Sequence, residues 1–221
     1  MSVIQIKNLS FTYEGRLMPV FTGLNLQLDS AWRLGLVGRN GRGKTTLLRL
    51  LKDELAGTGQ IISSVGFDLF PFPVDPGRDA QSALIDSLAP YTRWEKEMAE
   101  CLVLATPEAL GRYGNIQACY RAECGYTIRN LLAREAGHLG MAPEALGRPF
   151  SSFSPGERVR LMMAALFLKQ NRFLLIDEPT NHLDMAGREA MARYLGQKSG
   201  FLVASHDRSF LDLACDHILA L

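Results

Sequence analysis

Gly38-Arg39-Asn40-Gly41-Arg42-Gly43-Lys44-Thr45 is the stretch on which the reading of this chain turns. It fits G-x-x-x-x-G-K-[ST] at every fixed position. Just before it, residues 34–37 form a short apolar run ending at Gly38, as a buried strand would. Just after it, Leu47, Leu48, Leu50 and Leu51 recur at a spacing that puts one apolar face on a helix. The order is strand, glycine-rich loop, helix. In that setting the glycines let consecutive backbone N–H groups converge on phosphate oxygens, and the helix adds the positive end of its dipole. Lys44 is then placed to reach the β- and γ-phosphates of a nucleotide. The Thr45 hydroxyl is placed to ligate Mg²⁺, and Thr46 to add a hydroxyl at the α-phosphate. Such a loop identifies a nucleotide site but not the reaction, because kinases, GTPases and ATPases share it.

Outward from the loop, residues 3–7 and 24–28 alternate as strands do. Residues 173–176 are an apolar run that ends in Asp177-Glu178, and 201–204 another that ends in Ser205-His206. Ahead of both lies 159–168, almost wholly apolar, so its helix is expected to be buried. Short apolar runs on both sides of a helical segment predict parallel strands covered on both faces. Ligands of such sheets bind at the carboxyl ends of the strands, where these polar pairs sit. The segment FPFPVDPG at 70–77 predicts an irregular, exposed stretch. From 78 to about 150 the spacing is helical, with Trp94, Met98, Cys101 and Leu102 in one series and Ile128, Leu131, Leu132 and Glu135 in another. The expected organisation is a single α/β domain, with 1–77 and 151–221 forming the core and 78–150 an inserted helical lobe. That lobe carries eight basic and nine acidic residues, so its charge runs read as solvated faces.

Composition narrows the class. Of 221 residues 47% are hydrophobic and 21% charged, values of a globular chain rather than a disordered or fibrous one. Lysine and arginine number 24 against 23 acidic residues, a net charge of +1 that supplies no global attraction to nucleic acid or an anionic membrane. The longest uninterrupted apolar run, 161–168, has eight residues and is far too short to span a bilayer. The opening MSVIQIKNLS shows no basic segment followed by an apolar one, so no secretory leader is expected. Cys101, Cys119, Cys124 and Cys215 form no C-x-x-C pair and no common zinc spacing, which fits reduced thiols in a cytosol. Cys215 and His217 offer only two metal ligands.

Two further motifs carry chemistry. Asp177 suits a role in holding Mg²⁺, through water, and Glu178, one residue on, suits a general base that takes a proton from the attacking water. Ser154-Pro155-Gly156-Glu157 reads as a capping box, with serine at the N-cap, proline at N1 and glutamate at N3. The same serine and glycine N–H at a helix start also make an anion site, available to a phosphate bound by another copy.

Taken together, GRNGRGKTT (38–46), FSPGERVR (153–160), LLIDEPTNHLD (174–184) and SHD (205–207) resemble an ATP-binding cassette (ABC) domain over essentially the whole chain. The resemblance implies a P-loop NTPase fold with a mainly parallel core sheet, an antiparallel β subdomain and an inserted helical lobe. It implies ATP with Mg²⁺ as the ligand, bound through Gly38, Asn40, Gly41, Arg42, Gly43, Lys44, Thr45, Thr46 and Asp177, with Tyr13 stacked on adenine. Thr45 and Asp177 would be the metal residues, and Glu178 and His206 the catalytic ones. Ser154 and Gly156 would meet the γ-phosphate of ATP held by a second cassette, and Asp184 would lie in the loop coupling the two sites. The stretches 178–184 and 205–211 resemble the ABC-F branch, whose members carry two cassettes on one chain, no membrane domain, and act on the ribosome as translation factors or in protection from antibiotics. The expectation is thus a cytoplasmic ATPase, an N-terminal cassette of a longer protein or a complete half-size one, weak on its own, with a second cassette (on the same chain or in a homodimer) and the ribosome as partners and no membrane insertion. Two departures stand out. Pro155 replaces a glycine of the usual signature and removes one N–H donor. Phe72 stands where many cassettes place glutamine, and cannot ligate Mg²⁺. The ATPase subunit of a membrane transporter and a nucleotide-gated clamp with negligible turnover are the competing readings.

Overall fold

The computed structural model describes residues 3–39 and 41–221. Its chain divides into two compact units, one of residues 1–72 and 169–221, the other Pro73–Leu168. In the first, five parallel strands form the sheet that organises the site: β3 (Arg33–Val37), β5 (Gly66–Phe70), β6 (Arg172–Asp177), β7 (Phe201–Ala204) and β8 (His217–Ala220), in the order β5-β6-β7-β3-β8. The three middle strands are almost wholly buried, as their unbroken apolar runs require. Register matters more than composition here. Leu36 of β3 and Asp177 of β6 both pair with Ala204 of β7, so the three strands end in one row. The glycine-rich loop, the acid pair and Ser205-His206 follow directly from that row.

A smaller antiparallel sheet, in the order β2-β1-β4, is built from β1 (Val3–Phe11), β2 (Phe21–Asp29) and β4 (Thr58–Ile62). β1 runs four residues beyond the alternation seen in the sequence. Its pattern breaks because the register shifts between Ile6 and Leu9 and Asn8 takes φ 52°, so the buried side changes from Ile4 and Ile6 to Leu9. Helix α1 (Lys44–Leu51) has eight residues, too few to hold together in water by itself. Leu47, Leu48, Leu50 and Leu51 are all buried in one apolar core with Ile4, Ile6, Leu36, Phe173 and Leu202. Each such leucine contributes roughly 2 kcal/mol on burial, and that packing is what fixes the helix start beneath the loop.

The second unit is helical: α2 (Ala80–Asp86), α3 (Tyr91–Leu104), α4 (Pro107–Ala122), α5 (Ile128–His138), 3-10 turns at Pro143–Gly147 and Phe150–Ser152, and α6 (Pro155–Leu166). It extends past 150, because α6 packs against α2 and α5. The series on α3 behaves differently from expectation. Cys101 is buried with Tyr91, whereas Leu102 is exposed, as are Val103 and Leu104. α3 packs mainly against α4 and less against α2, and these neighbours leave the side bearing Leu102, Val103 and Leu104 open. Tyr91, Trp94, Tyr120 and Tyr126 pack edge to face at its base. Phe70, expected in the irregular stretch, instead ends β5 and is buried. No helix is long and apolar enough to cross a membrane among the described residues.

One buried acid braces the first unit. Asp68 of β5 accepts from Lys169 Nζ at 2.9 Å and Lys52 Nζ at 3.2 Å, and pairs with Arg172 Nε at 3.4 Å. Burial works to raise its pKa, but the hydrogen bonds and charges of Lys169 and Lys52 outweigh it and hold the carboxyl below the usual carboxylate range. A depressed folded pKa stabilises above the unfolded value of about 3.9 and is lost as pH falls through the folded one. Asp68→Asn should therefore lower unfolding free energy by about 2 kcal/mol at pH 7. Urea denaturation should show the two proteins converging in strong acid, and a gap that persists there would contradict the assignment.

Candidate nucleotide site

The loop between β3 and α1 holds two glycines in left-handed backbone, Gly41 at φ 82° and Gly43 at φ 96°. Gly43 has a second constraint. A Cβ there would stand 2.6 Å from Val20 Cγ1 and 2.8 Å from Phe21 Cζ, so neither backbone nor space admits a side chain. Gly43 is also the N-cap of α1, and its carbonyl accepts from the Leu47 N–H at 2.8 Å. Lys44 is buried, and its ammonium donates to the Gly38 carbonyl at 2.8 Å, folding back over the loop. The Thr45 hydroxyl donates to Asp177 Oδ2 at 2.7 Å. The Thr46 hydroxyl lies 2.9 Å from that of Tyr13. Thr45 and Asp177 thus set a neutral and an anionic oxygen side by side, a donor pair suited to a hard cation such as Mg²⁺.

Beyond Asp177 the chain turns sharply. Glu178 takes φ 47°, unusual for a residue with a side chain, and its N–H donates to the Ala204 carbonyl at 2.9 Å. Its Oε2 lies 2.9 Å from Nδ1 of His206. An N–H donated from that ring to a carboxylate oxygen accounts for the contact. Below them the hydroxyls of Thr180 and Ser205, both buried, are 3.5 Å apart. The turns after β6 and β7 are therefore joined at three points.

A cleft of about 460 Å³ opens here, lined by Tyr13, Gly41, Gly43, Lys44, Thr45, Thr46, Asp177 and Glu178, with Arg16 and Val20 beside them. Arg16 and Val20 belong to no motif, and the sequence reading did not single them out. The Tyr13 ring meets Phe11 edge to face, centroids 4.8 Å apart. His206 joins the group through Glu178. Gly38 contributes its carbonyl to Lys44, the Arg42 side chain is exposed, and Asn40 lies outside the described residues. Ser154 and Gly156 stand in the other unit, at the start of α6. There the capping box is complete: Ser154 N–H donates to Glu157 Oε2 at 2.7 Å and the Glu157 N–H to the Ser154 hydroxyl at 3.3 Å. Those bonds, the backbone one first, hold the Glu157 carboxyl below its ordinary range. Phe72 carries the Lys169 ammonium 5.8 Å above its ring.

Comparison with known proteins agrees with this geometry. The family described as ABC transporter matches residues 21–181. The chain is 34% identical over 91% of its length to the probable ATP-binding protein YheS of Escherichia coli, covering 33% of it. It is 30% identical to ATP-binding cassette sub-family F member 3 of Homo sapiens, over 96% of this chain and 26% of that one. To the ribosome protection protein VmlR of Bacillus subtilis it is also 30% identical, over 95% of this chain and 32% of that one. The chain thus spans about a third of the length of the curated relatives it matches. Among solved structures, the dimeric structure of MJ0796, a bacterial ABC transporter cassette, aligns at TM-score 0.70 and 16% identity over 99% of this chain and 94% of that one, which shows the fold.

Lys44→Ala should raise the Kd for Mg-ATP about 100-fold, through loss of charge-assisted contacts to two phosphates. Tyr13→Ala should raise it only about three- to tenfold, as loss of a single stacking face would. Titration with a fluorescent nucleotide reads both, and an unchanged Kd for Lys44→Ala would sink the site.

Proposed function

The chain belongs to the ABC transporter family, and from that premise we propose that it is an F-type cassette that binds and hydrolyses ATP and pairs with a second cassette to engage the ribosome. The Thr45–Asp177 contact carries the reading, because it joins the phosphate loop to the acid pair at 2.7 Å. Loop amides and Lys44 would hold the triphosphate, and Thr45 and Asp177 would hold Mg²⁺. Bound there, Mg²⁺ would supply positive charge that offsets the charge on the phosphates. Glu178 takes a proton from water as the water oxygen bonds to the γ-phosphorus and the bond to the β-phosphate oxygen breaks, giving ADP and phosphate. His206 orients the Glu178 carboxylate. The base role contributes about 10²–10⁴ in rate.

Ser154 and the Gly156 N–H serve the nucleotide of the facing cassette, in which Pro155 offers no donor. A partner is then required for a closed site, and a dimeric cassette of the same fold supports such pairing. The ribosome enters from the F-type and ribosome-protection names of relatives near 30% identity. The same names disfavour the transporter-subunit reading, as does Phe72 in place of a polar coupling residue. The partner cassette is either a second one on a longer chain, which the coverage of about a third of its relatives favours, or a second copy of this one, and the site of action is the cytoplasm.

Glu178→Gln should retain Mg-ATP and release phosphate at least about 100-fold more slowly. A rate equal to wild type removes the base assignment. In the full-length protein the same variant should co-sediment with ribosomes in ATP, whereas recovery with a membrane permease instead would return the transporter reading.

A further inference from the structure

Helix α7 (Met185–Gly196) starts at the end of the segment that follows the acid pair, capped by Asp184, which accepts from the Gly187 N–H at 2.8 Å. Arg188, one turn in, reaches out of this helix in two directions. Its Nε donates to the Leu183 carbonyl at 3.2 Å, and its Nη1 lies 3.6 Å from Oδ2 of Asp207. Asp207 directly follows His206. Its two oxygens are used separately, since Oδ1 accepts from the Phe210 N–H at 3.0 Å and caps α8 (Arg208–Ala214).

His206 is thus held on both flanks by residues tied to one segment, 178–184. On the near side, the Ser205 hydroxyl lies 3.5 Å from Thr180 and accepts from the Asp207 N–H at 3.2 Å. On the far side, Asp207 is tied through Arg188 to the Leu183 carbonyl. The Arg188 and Asp207 side chains are 46% and 22% exposed, so their pair adds little to global stability. Its effect is on geometry.

We propose that Arg188 is a positioning residue: it locks the 205–207 turn to the 178–184 segment, so that the His206 ring and the Glu178 carboxylate it touches move as one body with Asp184. This rests on the reading of Glu178 as general base. Loss of the lock leaves the carboxylate free to drift from its productive place, where small displacements are costly to rate.

The experiment compares wild type with Arg188→Ala, Arg188→Lys, Asp207→Asn and the Arg188→Ala/Asp207→Asn double variant. Asn caps a helix as well as Asp, so Asp207→Asn removes the ion pair and keeps α8. Arg188→Ala should lower kcat about tenfold while leaving the Kd for Mg-ATP within about twofold and the melting temperature nearly unchanged. Arg188→Lys should recover part of the rate by restoring the charge. The double variant should be no slower than either single, as for two ends of one contact. Backbone amide exchange should quicken roughly fivefold or more in 181–184 and 205–207 together. A wild-type kcat in Arg188→Ala, multiplying single effects, or faster exchange in only one of the two segments overturns the proposal. Glu178→Gln, run alongside, separates the two ideas. If it turns over like wild type, the base reading fails, and the exchange data alone then decide whether Arg188 couples the segments.

Discussion

The Thr45 hydroxyl and the Asp177 carboxylate meet at 2.7 Å, although 132 residues of chain separate them. What brings them together is the register of three buried parallel strands. Leu36, Ala204 and Asp177 share one row, so the loops after β3, β7 and β6 open at the same level of the sheet. A slip of one residue in the β6–β7 pairing would turn Asp177 to the opposite face. The strands are locked against slippage by burial on both sides, which is why their interiors, 34–36, 173–176 and 201–204, carry no polar side chain. The chemistry at the rim depends on the apolar monotony beneath it.

Much of this was legible in the sequence because the relevant signals are local. The phosphate loop is a contiguous string, and its flanking apolar runs predict a strand and a helix with no tertiary information. β7 was found at its true bounds for the same reason. Where legibility failed, a non-local cause can be named. The parity change in β1 comes from a bulge at Asn8, which only its partner strands reveal. Leu102 shares a helical stripe with Cys101 but stays exposed, because α4 and α2, which pack on its helix, cover other positions. The boundary near 150 moved because α6 packs against α2 and α5, helices more than sixty and fifteen residues upstream.

The site shows the same division. Lys44, Thr45, Asp177 and Glu178 belong to strings that can be read directly. Arg16 and Val20 line the cleft without any motif, and the contact of His206 with Glu178 joins two strings across 28 positions. Arg188 sits on an otherwise ordinary helix, and nothing in its neighbours along the chain announces that its guanidinium spans two loops.

Glu178 brings the energetic argument to a point. A non-glycine residue at φ 47° costs on the order of 1–2 kcal/mol, and nothing in folding alone requires a large acid there. The conformation persists because its N–H is held by Ala204 and its carboxylate by His206. Strain kept in place by surrounding contacts is characteristic of a group whose position matters. The same logic runs through the cleft. Lys44 is held by Gly38, Thr45 by Asp177, and Thr46 by Tyr13. These three side chains already have partners, so a nucleotide that engages them exchanges hydrogen bonds rather than creating them, and the net gain per contact is modest.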